Sequence, residues 1–486
     1  MTGWAFQSAV EIARSISTGR AGAREVLEYF LARVDRFNPG INAVVVEDRK
    51  RARARADAAD RALDRGEAWG PLHGVPVTVK ESYDVAGLPS THGVPALARN
   101  IATEDALAVK RLEGAGAVVF GKTNVPLRLA DFQSYNEIYG TTNNPYDLER
   151  IPGGSSGGSA AALAAGLTGL EAGSDIGGSI RNPAHYCGVF GHKPTWGLLP
   201  PRGHAPPGVL APADISVVGP LARSAEDLEL ALRVMSGPEE IAARGVRYEL
   251  TRNPRPPGDW RVALWANDPI APVSAETEGR VRAAAAAFRD AGATVDDTAR
   301  PEFSAQEAHE VFQALLQPAM AARLPEDEFA RLVARAEGLE KTNDGMGART
   351  LRNQTARHRD WFAANERRTH LRWAWHRFFE RWDILLTPMM ATPAFRHDHR
   401  PAGERRIEVD GRERPYFEQV FWAGLIGASL LPATVVPTGL TATGTPLGVQ
   451  IAGPEYGDLD TIAAARFLEG RAGFRFEPPA GYEDDG

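Results

Sequence analysis

Residues 153–181 read GGSSGGSAAALAAGLTGLEAGSDIGGSIR and contain serines placed directly after paired glycines. The small residues at 159–165 predict a buried helix after the first glycine-rich run. Farther along, the adjacent Gly177 and Gly178 allow successive backbone N–H groups to converge on one point, as a tetrahedral oxyanion requires. Ser179 follows this glycine pair and is therefore a candidate nucleophile.

The residues that follow the glycines exclude two other interpretations of the glycine-rich run. A phosphate-binding P-loop needs Lys and then Ser or Thr after its last glycine, whereas Gly158 is followed by Ser159 and Ala160. A flexible linker would not run directly into seven consecutive small, helix-favouring residues. The stretch is therefore interpreted as part of a packed site.

A nucleophilic serine needs a base, and histidine is the usual one. His185, His192 and His204 follow Ser179 in the sequence, but none has the context of a triad histidine. Lysine is an alternative base for serine nucleophiles. Lys80 ends the alternating β-branched segment 73–80, which predicts a strand, and burial there would disfavour its charged form.

These residues resemble the amidase signature family, whose enzymes use a Ser–Ser–Lys triad. The resemblance runs through residues 153–195 and includes the lysine-bearing segment 74–80. Shorter matching segments lie elsewhere in the chain, at 140–145, 218–224, 431–433 and 446–450. The resemblance covers most of the chain, and only about 240–380 carries no diagnostic motif.

The resemblance implies an α/β fold with a single large mixed β-sheet flanked by helices on both faces. We expect residues 1–486 to form one amidase domain. Its parts would be an N-terminal helical segment, a signature-bearing core, a variable helical substrate-pocket region and a C-terminal completion of the sheet, at 1–70, 71–235, 240–380 and 381–475.

The resemblance also assigns a role to each motif residue. Ser179 becomes the nucleophile, Ser155 the bridging serine and Lys80 the terminal base, with a cis peptide bond between Gly154 and Ser155. The oxyanion hole would consist of main-chain N–H groups, those of Ile176, Gly177, Gly178 and Ser179. The remaining motif residues are expected to support the loop rather than take part in the chemistry: Gly154, Ser174 (where threonine is frequent), Asp175 and Arg181, the last two paired with each other.

Neither a metal nor another cofactor is implied. The paired histidines His397 and His399 lack a metal-binding helix motif and are expected to be surface residues. Cys187 is an alternative nucleophile, but a single cysteine among small apolar neighbours usually packs as a small hydrophobe. As the only cysteine it excludes a disulfide framework, and it fits a reducing compartment.

Composition limits the partners. A net charge of −7 excludes a polybasic nucleic-acid binder. One helical face carries four aromatic side chains, those of Trp375, Phe378, Phe379 and Trp382. Given the acidic net charge, this face is expected to be core or pocket wall rather than a surface on which bases stack.

No export signal and no apolar run of about 18 residues is visible. We expect a cytoplasmic enzyme with neither a membrane nor a nucleic-acid partner, and a homodimer is compatible with the sequence.

The sequence is compatible with three functions. The favoured one is hydrolysis of a small, neutral and fairly hydrophobic amide, with esters or carbamates as further substrates, because residues 196–212 are apolar and proline-rich where glutamine-using relatives are polar. Some C-terminal aromatic side chains are expected to wall the pocket, among Trp361, Phe362, Trp373, Trp375, Phe421 and Trp422. The alternatives are the glutaminase subunit of a tRNA-dependent amidotransferase and a non-catalytic binding protein of the same fold.

Overall fold

The computed structural model describes residues 3–340, 342–471 and 473–484. The helices of this part of the chain are α1 Ala9–Ser17, α2 Ala23–Ile41, α3 Arg49–Asp64, α4 Leu107–Gly114, α5 Gly157–Ala164, α6 Arg181–Cys187, α7 Ala225–Met235, α8 Ala275–Asp290, α9 Ala305–Ala321, α10 Glu326–Glu337, α11 Met346–Gln354, α12 His358–Phe379, α13 Val420–Gly427 and α14 Asp458–Glu469. The strands are β1 Val44–Glu47, β2 Pro76–Lys80, β3 Val118–Thr123, β4 Tyr135–Asn136, β5 Gly140–Thr141, β6 Glu171–Asp175, β7 Phe190–Lys193, β8 Val217–Ala222, β9 Arg261–Leu264, β10 Thr294–Asp296, β11 Ile384–Pro388, β12 Arg406–Val409, β13 Arg412–Pro415, β14 Ala433–Leu440 and β15 Pro446–Ala452.

Eleven of these strands form one mixed sheet in the order β1-β3-β2-β6-β8-β7-β14-β15-β11-β9-β10. Parallel pairs join β2 to β3 and β6, and β9 to β10 and β11. The strands between β6 and β11 run antiparallel to their neighbours. The expected α/β fold, built on one large mixed sheet with packed helices, is confirmed.

Several elements form where the sequence pattern places them. The predicted strand ending on Lys80 is β2, and all five of its residues are buried. The run of small residues forms α5, which is buried along its whole length. A methyl group added at Gly158 of this helix would lie 2.3 Å from the backbone nitrogen of Asn124, so only glycine fits there. Ser224 caps α7 by accepting a hydrogen bond from the N–H of Asp227.

The strand ends position the groups described below. Lys80 is the last residue of β2, and Asp175 is the last residue of the adjacent strand β6. Residues 153–156 lead into α5, and residues 176–180 connect β6 to α6. Because β2 and β6 are parallel, their carboxyl ends lie at the same edge of the sheet, where both serine-bearing loops also begin or end.

The aromatic face of α12 packs inward. Trp375 and Phe378 are fully buried and make edge-to-face contact, whereas Trp382 lies beyond the end of the helix. In the described part of the chain, no helix has the length and apolar character needed to cross a bilayer.

Candidate active site

The end of β2 brings a lysine amine against two serine hydroxyls. Lys80 Nζ donates to Ser155 Oγ at 2.6 Å and to Ser174 Oγ at 3.0 Å. All three side chains are buried. The peptide bond between Gly154 and Ser155 is cis. A buried amine with two hydroxyl partners can exchange protons with either of them.

The surroundings of Lys80 favour the neutral amine. Burial lowers the pKa of Lys80 to about 7, although the nearby carboxyl groups of Asp175 and Glu171 act in the opposite direction. Burial likewise raises the pKa of Glu171 to about 8, against hydrogen bonds led by the one from Thr78. Near neutral pH, Lys80 can therefore accept a proton.

Ser179 lies on the adjoining loop and faces a cavity. Its carbonyl oxygen accepts a hydrogen bond of 3.1 Å from the N–H of Ser156, which ties the two serine-bearing loops together. Its side chain lines the cavity, and within residues 3–340, 342–471 and 473–484 its hydroxyl has no hydrogen-bond partner. The Ser179 hydroxyl is thus the group of the predicted triad that a substrate in the cavity meets.

A buried ion pair holds the loop that carries Ser179. Arg181 Nη2 and Nε each lie 2.9 Å from a carboxylate oxygen of Asp175, and both side chains are fully buried. Burial alone would raise the pKa of Asp175, but the charge and hydrogen bonds of Arg181 lower it to about 2. Asp175 also accepts N–H bonds from Gly178 and Ile180. The pair therefore fixes the curvature of the glycine loop.

One of the four N–H groups expected to form the oxyanion hole is bonded within its own loop. The N–H of Gly178 donates to Asp175 Oδ1 at 2.8 Å, so it is already engaged inside the loop. Among the described residues, no acceptor is bonded to the N–H groups of Ile176, Gly177 and Ser179. The N–H groups of these three residues therefore have no described acceptor, whereas that of Gly178 has one.

The cavity in front of Ser179 has a volume of about 1580 Å³. The proline-rich segment 201–213 forms one of its walls, and α9 and α11 form another. Its lining mixes aliphatic side chains with polar and charged ones, and Phe132 and Phe417 are its benzyl side chains. Arginine side chains stand among these groups, and most of them are paired with a carboxylate, as Arg128 is with Glu328.

The expectation of an aromatic pocket wall is wrong for the residues named. Trp375, Phe421 and Trp422 are fully buried in the core and do not line the cavity. Phe362 and Trp373 are about 60% exposed on α12. Half-buried Trp361 donates its indole N–H to Asp214 and is likewise absent from the cavity lining.

The histidines near Ser179 in the sequence have other hydrogen-bond partners, although His204 lines the same cavity as Ser179. His185 lies between the carbonyl oxygens of Gly448 and Thr392, and burial lowers its pKa to about 4. His192 Nε2 is 3.1 Å from Asp458 Oδ1, and His204 Nε2 is 2.8 Å from the hydroxyl of Ser82. No described contact joins any of the three to Ser179.

Cys187 and the histidine pair also lie outside the site. Cys187 is fully buried in α6, and burial raises the pKa of its thiol, so a thiolate is disfavoured. His399 stacks on Tyr135 with ring centroids 3.9 Å apart. The described residues contain no group of three or more His, Cys, Asp or Glu side chains arranged to hold a metal ion.

One buried side chain at the site, that of Asn182, was not predicted from the sequence to have a role. The carboxamide of Asn182, in the first turn of α6, contacts both Gly154 and Gly178. The available signal was a polar residue three positions after Ser179, inside a helix that is buried throughout.

Comparison with known proteins agrees with this arrangement. The family model described as Amidase matches residues 25–462. The chain is 35% identical to the indoleacetamide hydrolase of Bradyrhizobium diazoefficiens, over 96% of this chain and 86% of that protein. It is 32% identical to a glutamyl-tRNA(Gln) amidotransferase subunit of Anaeromyxobacter sp. (strain K), over 96% and 97% of the two chains.

Among solved structures, a bacterial aryl acylamidase of the amidase signature family superposes with a TM-score of 0.80. Its sequence is 28% identical, and the match covers 98% of this chain and 99% of that one. Family match, sequence similarity and fold agree, so the chain belongs to the amidase family and is an enzyme that hydrolyses amide bonds.

Proposed function

We propose that the protein hydrolyses neutral, fairly hydrophobic amides through an acyl-enzyme on Ser179. The observation that carries this proposal is the 2.6 Å hydrogen bond from Lys80 Nζ to Ser155 Oγ, beside a cavity into which Ser179 faces. A serine, a relay hydroxyl and a buried amine near neutrality are the parts that acyl transfer needs.

In the first half of the proposed reaction, neutral Lys80 takes the proton of the Ser155 hydroxyl while Ser155 takes that of Ser179. The Ser179 oxygen then attacks the amide carbon, and the oxyanion accepts hydrogen bonds from the free N–H groups of Ile176, Gly177 and Ser179. The tetrahedral intermediate collapses when the proton returns from Lys80 through Ser155 to the leaving nitrogen. An amine departs and the acyl group stays on Ser179.

In the second half, water enters the cavity and loses a proton along the same route. The resulting hydroxide attacks the acyl carbon, the oxyanion hole binds the second tetrahedral intermediate, and Ser179 leaves as its hydroxyl after regaining a proton. The acyl group leaves as the free acid. Only the substrate and water are consumed, so the cycle closes with all three side chains in their starting states.

The cavity supports the substrate class. The aliphatic part of the lining, which includes most of the wall at 201–213, suits a substrate with a large apolar group. Two relatives are named for compact apolar substrates, an indoleacetamide and an aryl acylamide. Esters and carbamates are proposed as further substrates, since the same acyl-enzyme chemistry serves them.

A second candidate is the glutaminase function of an amidotransferase subunit. The 32% identity to such a protein over nearly the whole chain favours it. The apolar proline-rich wall at 201–213 argues against it, because glutamine carries two charged groups and a short polar side chain.

The test is a substrate panel with the purified chain alone. We expect turnover of an anilide and of an apolar primary amide to exceed turnover of glutamine by at least about tenfold in kcat/KM. A preference for glutamine, or activity only with added tRNA and partner subunits, would replace the proposal by the second candidate.

A further inference from the structure

We propose that Asn182 is a positioning residue that fixes the geometry between Ser155 and Ser179. This inference rests on the proposed roles of those two serines. Asn182 is fully buried and does not line the cavity, so it acts on the reaction through the backbone rather than by touching substrate.

The Asn182 carboxamide binds both sides of the glycine that precedes Ser155. Its Oδ1 accepts the N–H of Gly154 at 3.0 Å, and its Nδ2 donates to the carbonyl oxygen of the same residue. One planar side chain thereby holds the two peptide groups that flank Gly154. The position and orientation of the Ser155 backbone follow from this pair of bonds.

The second proton on Asn182 Nδ2 goes to the other loop. It is donated to the carbonyl oxygen of Gly178 at 2.9 Å, and Gly178 directly precedes Ser179. The backbone N–H of Asn182 donates to the same oxygen at 2.6 Å. One carboxamide therefore spans the gap between the residue before the relay serine and the residue before the nucleophile.

The carboxamide oxygen lies close against the backbone of the glycine-rich segment. A methyl group added at Gly153 would lie 2.7 Å from Asn182 Oδ1 and equally close to the backbone of Pro183. The described contacts use the carbonyl oxygen and both amide protons of Asn182. Because a displacement of about 1 Å of a reacting group can cost about a hundredfold in rate, a rigid link of this kind affects kcat.

Two substitutions that keep the branched outline of the side chain test this role. Asn182→Asp keeps the acceptor for Gly154 but loses both donated bonds and turns lone pairs toward two carbonyl oxygens. Asn182→Leu loses all three bonds. We expect kcat to fall at least about a hundredfold in both variants, with KM changed by less than about threefold, because the cavity lining is untouched.

Asn144 provides the matched control. It is equally buried and also makes three backbone bonds, donating to Ile151 and Tyr186 and accepting from Tyr146, none of which is adjacent to either serine. Asn144→Leu should lower stability about as much as Asn182→Leu and leave kcat within about threefold of wild type. Each variant is assayed as the folded monomer or oligomer isolated by gel filtration, and its unfolding midpoint is recorded.

The decisive readout is the second-order rate at which a small fluorophosphonate labels Ser179, because this rate reports nucleophile activation without amide binding. Labelling of wild type at Ser179 and at no site in Ser179→Ala establishes Ser179 as the activated nucleophile, independently of Asn182. If wild type is labelled and the Asn182 variants react about a hundredfold more slowly than Asn144→Leu, the inference stands. If they react as fast as Asn144→Leu, the inference is wrong while the proposed function survives. Absence of labelling in wild type would overturn both.

Discussion

Lys80 Nζ lies 2.6 Å from Ser155 Oγ, although the two residues are 75 positions apart and neither side chain reaches solvent. A lysine amine is rarely buried, since removing an ammonium from water is costly unless it is paired or loses its proton. Here the serine bond and the lowered pKa make the amine a base. The following expectations rest on that relationship.

Ser179→Ala should abolish amide hydrolysis, with kcat reduced by at least about a thousandfold and the unfolding midpoint unchanged. The hydroxyl forms the covalent bond in the proposed mechanism, and no nearby group replaces it. Ser429→Ala is the matched control, because Ser429 is also buried and its hydroxyl lacks a hydrogen-bond partner among the described residues. Anilide hydrolysis at substrate saturation measures both, and equal activity in the two variants would reject Ser179 as nucleophile.

Activity should rise with pH through about 7. Below that pH Lys80 is protonated and cannot accept the serine proton, so kcat/KM should fall about tenfold per pH unit, and above it the rate should level off. Burial of Lys80 moves this inflection to lower pH, and the nearby carboxyl groups of Asp175 and Glu171 act in the opposite direction.

Lys193 supplies the control for that profile. Burial lowers its pKa to about 7 as well, but its amine donates to the carbonyl oxygens of Pro194 and Leu431 rather than to a serine. Lys193→Met should therefore keep the inflection in kcat/KM. Loss of the inflection in this variant, or a wild-type profile that declines from pH 5 to pH 8, would contradict Lys80 as the base.

Arg181→Met should destabilise the protein by about 3–5 kcal/mol, because it leaves the Asp175 carboxylate buried without its cation. Urea unfolding followed by circular dichroism measures the change. Arg65→Met removes an exposed pair with Glu67 and should leave the midpoint unchanged. Equal midpoints for the two variants would show that Asp175 does not depend on Arg181.

Ala314→Trp should discriminate between substrates by size. Ala314 lies on α9 and lines the cavity, so an indole there would occupy the space of a bulky acyl or amine group. We expect KM for an anilide to rise at least about tenfold while KM for propionamide changes little. Ala322→Trp, at an exposed position just after the same helix, should change neither value. An unchanged anilide KM in Ala314→Trp would mean that substrate binds elsewhere.

The parts of the fold that follow from local patterns were predictable. β2 alternates β-branched residues up to Lys80, and α5 follows from its small residues, so both elements form where the sequence indicates. The contact between Lys80 and Ser155 was implied by family resemblance alone, because local patterns cannot tell which strand end meets which loop.

The features that local patterns could not predict have a common physical origin. Helical spacing places Trp375 and Phe378 on one face but does not reveal that this face packs against the core rather than the cavity. Paired glycines indicate a tight turn, but only the folded loop shows that Asp175 takes the N–H of Gly178. The contacts of Asn182 could not be predicted for the same reason, since its three side-chain bonds join segments that are separate in sequence.

The most direct test of the proposed mechanism is to trap the acyl group. An excess of a slowly deacylating phenyl carbamate or anilide is mixed with wild-type enzyme, the reaction is quenched with acid, and the digested chain is mapped by mass spectrometry. The mechanism predicts one acyl group per chain on the peptide that contains Ser179, and none in Ser179→Ala. An adduct on Cys187, or substrate turnover with no covalent adduct on Ser179, would contradict it.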